Sequence, residues 1–205
     1  MTDPVRLLLA RHGQTQWHRD NRYVSTTDIG LNETGYEQAG TLARRAQREG
    51  VDLVLSSPLG RALETAKPAV AALGFQLRTD ERLRELDFGG WEGKTLAEIG
   101  DEEPEAVRRF EESAEHGFPD GEPLERGADR VLEVFADLYR SHAGETVLIV
   151  AHNTLLRLAL CRMLGVSLGQ YRRLMPRVVN GAVSEVRFGG RGGALYSFND
   201  LDRAR

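Results

Sequence analysis

The sequence predicts an α/β fold built on a mainly parallel sheet with helices covering both faces. Three observations carry this expectation. Apolar runs at Val5 to Ala10 (broken only by Arg6), Val51 to Leu55 and Thr146 to Val150 read as strands buried on both sides. Segments with helical spacing of apolar residues follow them. Strands alternating with helices in this way are the mark of a parallel sheet between helical layers.

Each element has its own local cause. Asn32 before Glu33 predicts a helix cap, with the helix running to about Arg48 and Gly50 as its stop. After the Val51 strand, Ser57-Pro58 reads as a cap followed by proline at the first helical position. That helix runs through Arg61, Leu63 and Ala66 to Leu73, with a kink expected at Pro68 and a stop at Gly74. Phe75 to Arg78 reads as a short strand. From Asp87 to about Gly127 acidic residues and prolines dominate, which predicts an excursion with one helix between about Glu105 and Ala114. A helix is expected from about Ala128 to Ser141 and another from Thr154 to Leu164, ended by Gly165. Val183 to Phe188 and Ala194 to Phe198 alternate like a hairpin around the glycines of 189–193.

The 205 residues fit one domain, 1–205, in which the excursion at 87–127 covers the active site. Hydrophobic residues make up 40% and charged residues 28%, enough for a core and a well-solvated surface. The formal net charge of −4 gives no long-range positive field to gather nucleic acid or anionic membranes. Attraction for an anionic ligand must therefore be local. Cys161 is the single cysteine, so no intrachain disulfide is possible, and its apolar helical setting predicts a buried thiol. The opening apolar run is too short for a signal peptide, and no run reaches membrane-spanning length. A cytoplasmic protein is expected; monomer and homodimer both stay open.

The chemistry-bearing residues lie at strand ends. Arg11-His12-Gly13 follows the first strand: Arg11 offers a planar fork of donors for phosphate oxygens, and a neutral His12 offers a nitrogen that can attack phosphorus. Arg61 falls in the first turn of a helix just past a strand, where a helix N-terminus already favours anions. His152-Asn153 repeats the strand-end placement of His12, so the two histidines can converge on one ligand. No His-Glu-x-x-His or His-x-His spacing points to a metal. Phosphoryl transfer also needs an acid for the leaving oxygen; Glu85 is a candidate, and spacing alone does not separate it from Glu81, Asp87 or Glu92. Tyr171-Arg172-Arg173 reads as a solvated basic face that can add cations at the cleft rim. Trp17, Tyr23, Phe110 and Phe118 are pocket candidates that as aromatics belong more often to a core.

Together, Arg11 to Thr15, Leu31 to Gly35, Ser56 to Ala66, Arg84 to Gly93 and Ala151-His152 resemble the histidine phosphatase superfamily, with its phosphoglycerate mutase-like fold. The stretch from Asp80 to Thr95 is most similar to the small broad-specificity phosphatases and α-ribazole phosphatase-like members. The resemblance implies a three-layer α/β/α sandwich with a mixed six-stranded sheet and no cofactor. It implies His12 as a nucleophile that becomes phosphorylated, Arg11, Arg61 and His152 as holders of the phosphoryl oxygens, and Glu85 as the acid that then activates water. The expected activity is hydrolysis of a small phosphorylated metabolite. Phosphoryl transfer of the mutase type and a non-catalytic phospholigand-binding module on the same fold are the rivals. The chain ends soon after its last strand, leaving little for a lid, which favours hydrolysis over transfer. His18 stands where the superfamily often has asparagine, Val24-Ser25 where it often has Gln-Gly, and Asn153-Thr154 where Gly-Gly or Gly-Val is common. Ser25, Thr26 or His18 is expected to replace the lost donor near the phosphate. Asn153 is expected to cap the following helix rather than turn its amide to the substrate.

Overall fold

The computed structural model describes residues 2–201. Its centre is a six-stranded sheet: β1 (Val5–Arg11), β2 (Leu53–Ser56), β3 (Arg78–Thr79), β4 (Thr146–Ala151), β5 (Val183–Gly189) and β6 (Gly192–Asp200), in the order β3-β2-β4-β1-β5-β6. β1, β2, β3 and β4 pair in parallel; β5 and β6 are antiparallel. The sheet is therefore mixed and mainly parallel.

Both faces are covered, and the strand pleat decides which residue goes where. On β1, Leu8 and Ala10 join one cluster while Leu7 and Leu9 join the other. The first cluster is closed by α1 (Glu33–Arg48) and α2 (Gly60–Leu73) through Leu42, Ala43, Ala46, Ala62, Ala66 and Ala69. This run of alanines lets the two helices lie close to the sheet and to each other. The second cluster is closed by α5 (Leu124–Ser141) and α6 (Asn153–Met163). Val131, Val134, Phe135 and Leu138 form one stripe of α5, and α6 is buried almost all round. Among the described residues, no helix is long and apolar enough to cross a membrane.

Several local expectations need correction. The Asn32 side chain accepts from Gly35 N at 2.9 Å and starts α1 as expected, but α2 begins at Gly60 with Leu59 as its cap residue, not at Pro58 after Ser57. The Ser57 hydroxyl lies 2.7 Å from His152 Nε2 and accepts from Leu59 N, one residue before the helix, instead of capping its first turn. α2 runs through Pro68 to Leu73 as expected. The short strand shrinks to Arg78–Thr79, because only Leu55 and Ser56 of β2 find partners there. The excursion carries two helices, α3 (Leu96–Glu102) and α4 (Pro104–Glu112), where one was expected. α3 is started by a capping box between Thr95 and Glu98, and Pro104 sits in the first turn of α4, where a missing N–H costs nothing. α5 begins at Leu124, four residues before the expected start. The hairpin turn is also tighter: Gly189 pairs with Gly192.

Gly13 and Gly35 fix the entry to the site. A Cβ on Gly13 would meet the Gly35 carbonyl at 2.7 Å, and one on Gly35 would meet the Gln14 carbonyl at 2.2 Å. The loop after β1 and the first turn of α1 therefore touch backbone to backbone, an approach open only to glycine.

Candidate active site

Parallel register brings the candidate residues together. Arg11 on β1 lies opposite Ala151 on β4, and Val150 on β4 lies opposite Ser56 on β2. The chain therefore leaves three adjacent strands at the same carboxyl edge, presenting His12, Ser57 and His152 side by side. The His12 and His152 ring centroids are 5.1 Å apart. The cavity above them has a volume of about 320 Å³, and Arg11, His12, His18, Glu85 and Asn153 line it.

The tautomer of His12 follows from its partner. Its Nδ1 lies 2.7 Å from the Gly13 carbonyl, which can only accept, so Nδ1 carries the proton. Burial, then the neighbouring His152, Arg61 and Arg11, hold the His12 pKa well below its usual value. The ring is neutral near pH 7 and keeps a lone pair on Nε2. His152 is also held neutral, by burial and then by Arg61 and Arg11. Its Nε2 is 2.7 Å from the Ser57 hydroxyl, and its Nδ1 is buried without a partner.

The arginines are anchored through their Nη groups, each with its Nε left without a partner. Arg11 donates from Nη1 to the Val178 carbonyl at 2.5 Å and from Nη2 to His18 Nε2 at 2.6 Å; its Nε is buried and unpartnered. Burial, with Arg157, Arg177 and Arg61 nearby, lowers its pKa, but a guanidinium stays charged at neutral pH. Arg61 is 1% exposed. Its Nη groups donate to the carbonyls of Val24, Ser25 and Thr27, and its Nε too is buried without a partner. Arg61 thus fastens the 24–27 loop; it and His152 are buried behind the cavity wall and are not among the residues that line it.

Among the four carboxylates left open by spacing, Glu85 is the one at the cavity. Its Oε1 accepts from Leu86 N and Leu155 N, both at 2.9 Å, and its Oε2 from Thr154 N at 3.1 Å. The first turn of α6 therefore holds it in place. Arg130 of α5 secures the same segment from behind, donating to the Arg82 and Glu85 carbonyls while pairing with Glu122 at 2.8 Å. Glu81 pairs with Arg84 at the surface, Asp87 accepts from Gly89 N, and Glu92 accepts from Ser25 and Thr27.

The departures resolve as follows. Ser25 is turned away from the cavity, its hydroxyl donating to Glu92 at 2.8 Å, and Val24 lines the cavity instead; Thr26 is exposed. His18 lines the cavity but accepts at Nε2 from Arg11 and Asn180, so this nitrogen has no proton to give a phosphate. Burial, then Arg11 and Arg61, lower its pKa to about 3. Asn153 is not the cap: His152 occupies that position, and Asn153 Oδ1 is buried without a partner at the cavity wall. Trp17 is half-buried outside the cavity lining, and Phe110 and Phe118 belong to the core; Tyr23, Tyr171 and Arg172 line the cavity, so the expected basic face is in part an inner wall. Arg157 lines it too and was hidden in the sequence inside an apolar helix. Cys161 is buried, and burial raises its pKa.

Two buried histidines, His12 and His152, and the half-buried His18 make stability depend on pH. Their folded pKa values lie below the ordinary 6.5, so stability is complete above that value and is lost as pH falls through it, because the unfolded chain then binds protons the folded chain cannot. Urea unfolding at pH 7.5 and 5.5 is expected to differ by about 1 kcal/mol for each ring. Equal stability at the two pH values would mean that the rings are not held neutral.

The sheet edge thus gathers two buried imidazoles and two buried-Nε guanidiniums in one α/β protein. The family model of the histidine phosphatase superfamily (branch 1) matches residues 7–201, and the chain belongs to that superfamily. It is 42% identical over 169 residues to a bifunctional protein of Mycobacterium tuberculosis, a match covering 77% of this chain and 44% of the relative, so the chain spans under half of that relative's length. It is 34% identical over 168 residues to phosphoserine phosphatase 1 of Hydrogenobacter thermophilus, covering 82% of this chain and 80% of that one. Among solved structures, a mycobacterial glucosyl-3-phosphoglycerate phosphatase complexed with VO3 superposes with a TM-score of 0.87 at 28% identity, covering 96% of this chain and 99% of the other.

Proposed function

We propose that this chain is a phosphomonoesterase that hydrolyses small phosphorylated metabolites through a covalent phosphohistidine on His12. The observation that carries this reading is the set of buried unpartnered nitrogens around His12: Arg11 Nε, Arg61 Nε and His152 Nδ1. A buried polar atom without a partner is costly, and a phosphoryl group supplies what these three lack. If the Ser57 hydroxyl, which accepts from Leu59 N at 3.3 Å, donates to His152 Nε2, the His152 proton sits on Nδ1 and all three are donors.

In the first step His12 Nε2 attacks phosphorus in line, forming N–P as the ester P–O bond breaks, and Glu85 gives its proton to the leaving alkoxide. Arg11, Arg61 and His152 hold the equatorial oxygens as their charge builds. In the second step Glu85 takes a proton from water, which attacks the phosphohistidine and releases inorganic phosphate and neutral His12. The cations supply the charge neutralisation such a transfer needs. His18 acts here by holding Arg11, and Asn153 turns its amide toward the bound ester.

On this reading the chain works as one domain over 1–205, with the 87–127 segment contributing Phe88 and Leu96 to the cavity wall. A cytoplasmic location fits its single cysteine. The phosphatase names of the two relatives of near-equal length support the same activity class. The test is phosphate release from a panel of metabolite esters in the presence of a chelator. Free phosphate is expected; isomerised ester without phosphate release would make the protein a mutase, and binding without either product would make it a module that only holds phospholigands.

A further inference from the structure

One buried amide beside the nucleophile has no part in the steps above. Asn180 lies in the segment 177–182 that leads into β5, and this segment runs along the backbone of Arg11 and His12. Arg11 N donates to the Ala182 carbonyl at 3.2 Å, and Gly181 N donates to the Arg11 carbonyl at 3.0 Å. Between these contacts and the one from Arg11 Nη1 to Val178, the Asn180 side chain reaches the turn after β1. Its Nδ2 lies 3.0 Å from the His12 carbonyl oxygen, 3.3 Å from that of Gly13 and 3.2 Å from His18 Nε2. Carbonyl oxygens only accept, so the NH2 end of the amide must face them.

The Gly13 carbonyl is the group that keeps the proton on His12 Nδ1. Its direction is not set by glycine itself, whose backbone is the freest of all residues. The two peptide groups flanking Gly13 are fixed from outside instead. At their N–H ends, Gly13 N donates to Thr65 Oγ1 at 2.9 Å and Gln14 N donates to Gln38 Oε1 at 2.8 Å. At their oxygen ends, both meet Asn180. Asn180 is itself held by β6. There Asn199, at a φ of 56°, accepts from Val179 N at 2.7 Å and donates to the Arg177 carbonyl at 3.2 Å, while its own N–H donates to the Ser184 hydroxyl.

Building on the phosphatase reading, we infer that Asn180 is a positioning residue for the nucleophile. By clamping the His12 and Gly13 carbonyls it keeps the Gly13 oxygen aimed at Nδ1, the proton on that nitrogen and the Nε2 lone pair directed at phosphorus. Nucleophiles and bases are commonly oriented by a third group behind them. Here a backbone carbonyl takes that place, and a side chain from the segment before β5 fixes the carbonyl. Asn180 does not line the cavity, so its effect falls on the rate of phosphoryl transfer and not on phosphate affinity.

The test compares the unmodified protein with two variants. Asn180→Asp keeps the shape but turns oxygen against both carbonyls, and Asn180→Ala removes the donor without adding charge. Imidazole nitrogen shifts of histidine-labelled protein report the His12 tautomer, with the His12 signals assigned by their loss in His12→Ala. In the unmodified protein the Nδ1–H form is expected; in both variants the Nε2–H form gains population. The single-turnover rate of transfer from an aryl phosphate is expected to fall by about 10- to 100-fold. Calorimetric affinity for inorganic phosphate is expected to change by less than about threefold. An unchanged tautomer, a transfer rate within about twofold of the unmodified protein's, or an equal loss of rate and phosphate affinity overturns the positioning role. Side-chain hydrogen exchange decides the matter even where a variant fails to fold. In the unmodified protein the Asn180 NH2 protons are expected to exchange at least about tenfold more slowly than those of the exposed Asn21, and equal exchange removes the clamp. A tautomer that depends on Asn180 in a protein that transfers no phosphoryl group would keep the clamp and refute the phosphatase reading.

Discussion

His12→Ala is expected to lower kcat by about 10^4-fold or more on every substrate the protein accepts. The size of the effect follows from what the ring supplies. A nucleophile fixed in line replaces an encounter with water, and no neighbour can take its place: His152 already spends its Nε2 on Ser57, and His18 spends its own on Arg11 and Asn180. The rest of the anion site is anchored independently, through Val178 for Arg11 and through Val24, Ser25 and Thr27 for Arg61. The variant should therefore still bind inorganic phosphate while turning nothing over. Steady-state rates and phosphate binding on the same folded preparation check both halves. Residual turnover within about a hundredfold of the unmodified protein would remove His12 from the nucleophile's role.

Glu85→Gln is expected to divide substrates by their leaving group. Alkyl phosphates, whose alkoxides need a proton as the bond breaks, should slow by about 10^2- to 10^4-fold. Aryl phosphates, whose oxides leave unaided, should slow by less than about tenfold in the first step. The substitution also has a structural cost, because an amide nitrogen cannot accept from the Leu86, Thr154 or Leu155 N–H groups that now converge on the carboxylate. That cost falls on both substrate types, so the split between them isolates proton transfer. Equal losses would assign Glu85 to holding α6 in place rather than to the chemistry.

Much of this site was legible because strand ends are legible. Continuous apolar runs marked β1 and β4, and once those strands lie in parallel, Arg11, His12 and His152 must emerge together. Glu85 was different: it sits on no regular element, and only the resemblance separated it from Glu81, Asp87 and Glu92. The Thr95–Glu98 capping box was a usable signal for α3, masked by the acidic run around it. Asn153 looked like a cap because asparagine before a helix often is one, but the backbone already turns at His152 and frees the amide. Arg157 was the deepest omission. A charged residue in a helix reads as the solvated face, and nothing local reveals that Tyr171 and the Met175 carbonyl close over it. Burial of that kind is a property of how α6 and the 171–175 segment pack, two stretches whose contact no sequence period encodes.

The central claim is a bond between His12 and phosphorus, and trapping it is the most direct test. The protein is mixed with a phosphoryl-labelled ester, quenched within milliseconds in alkaline denaturant, digested and mapped. The account predicts label on the peptide containing His12, stable to alkali and released by acid as a phosphoramidate is, and absent in His12→Ala. Turnover with no label at His12, or label on a hydroxyl or carboxyl side chain instead, would contradict it.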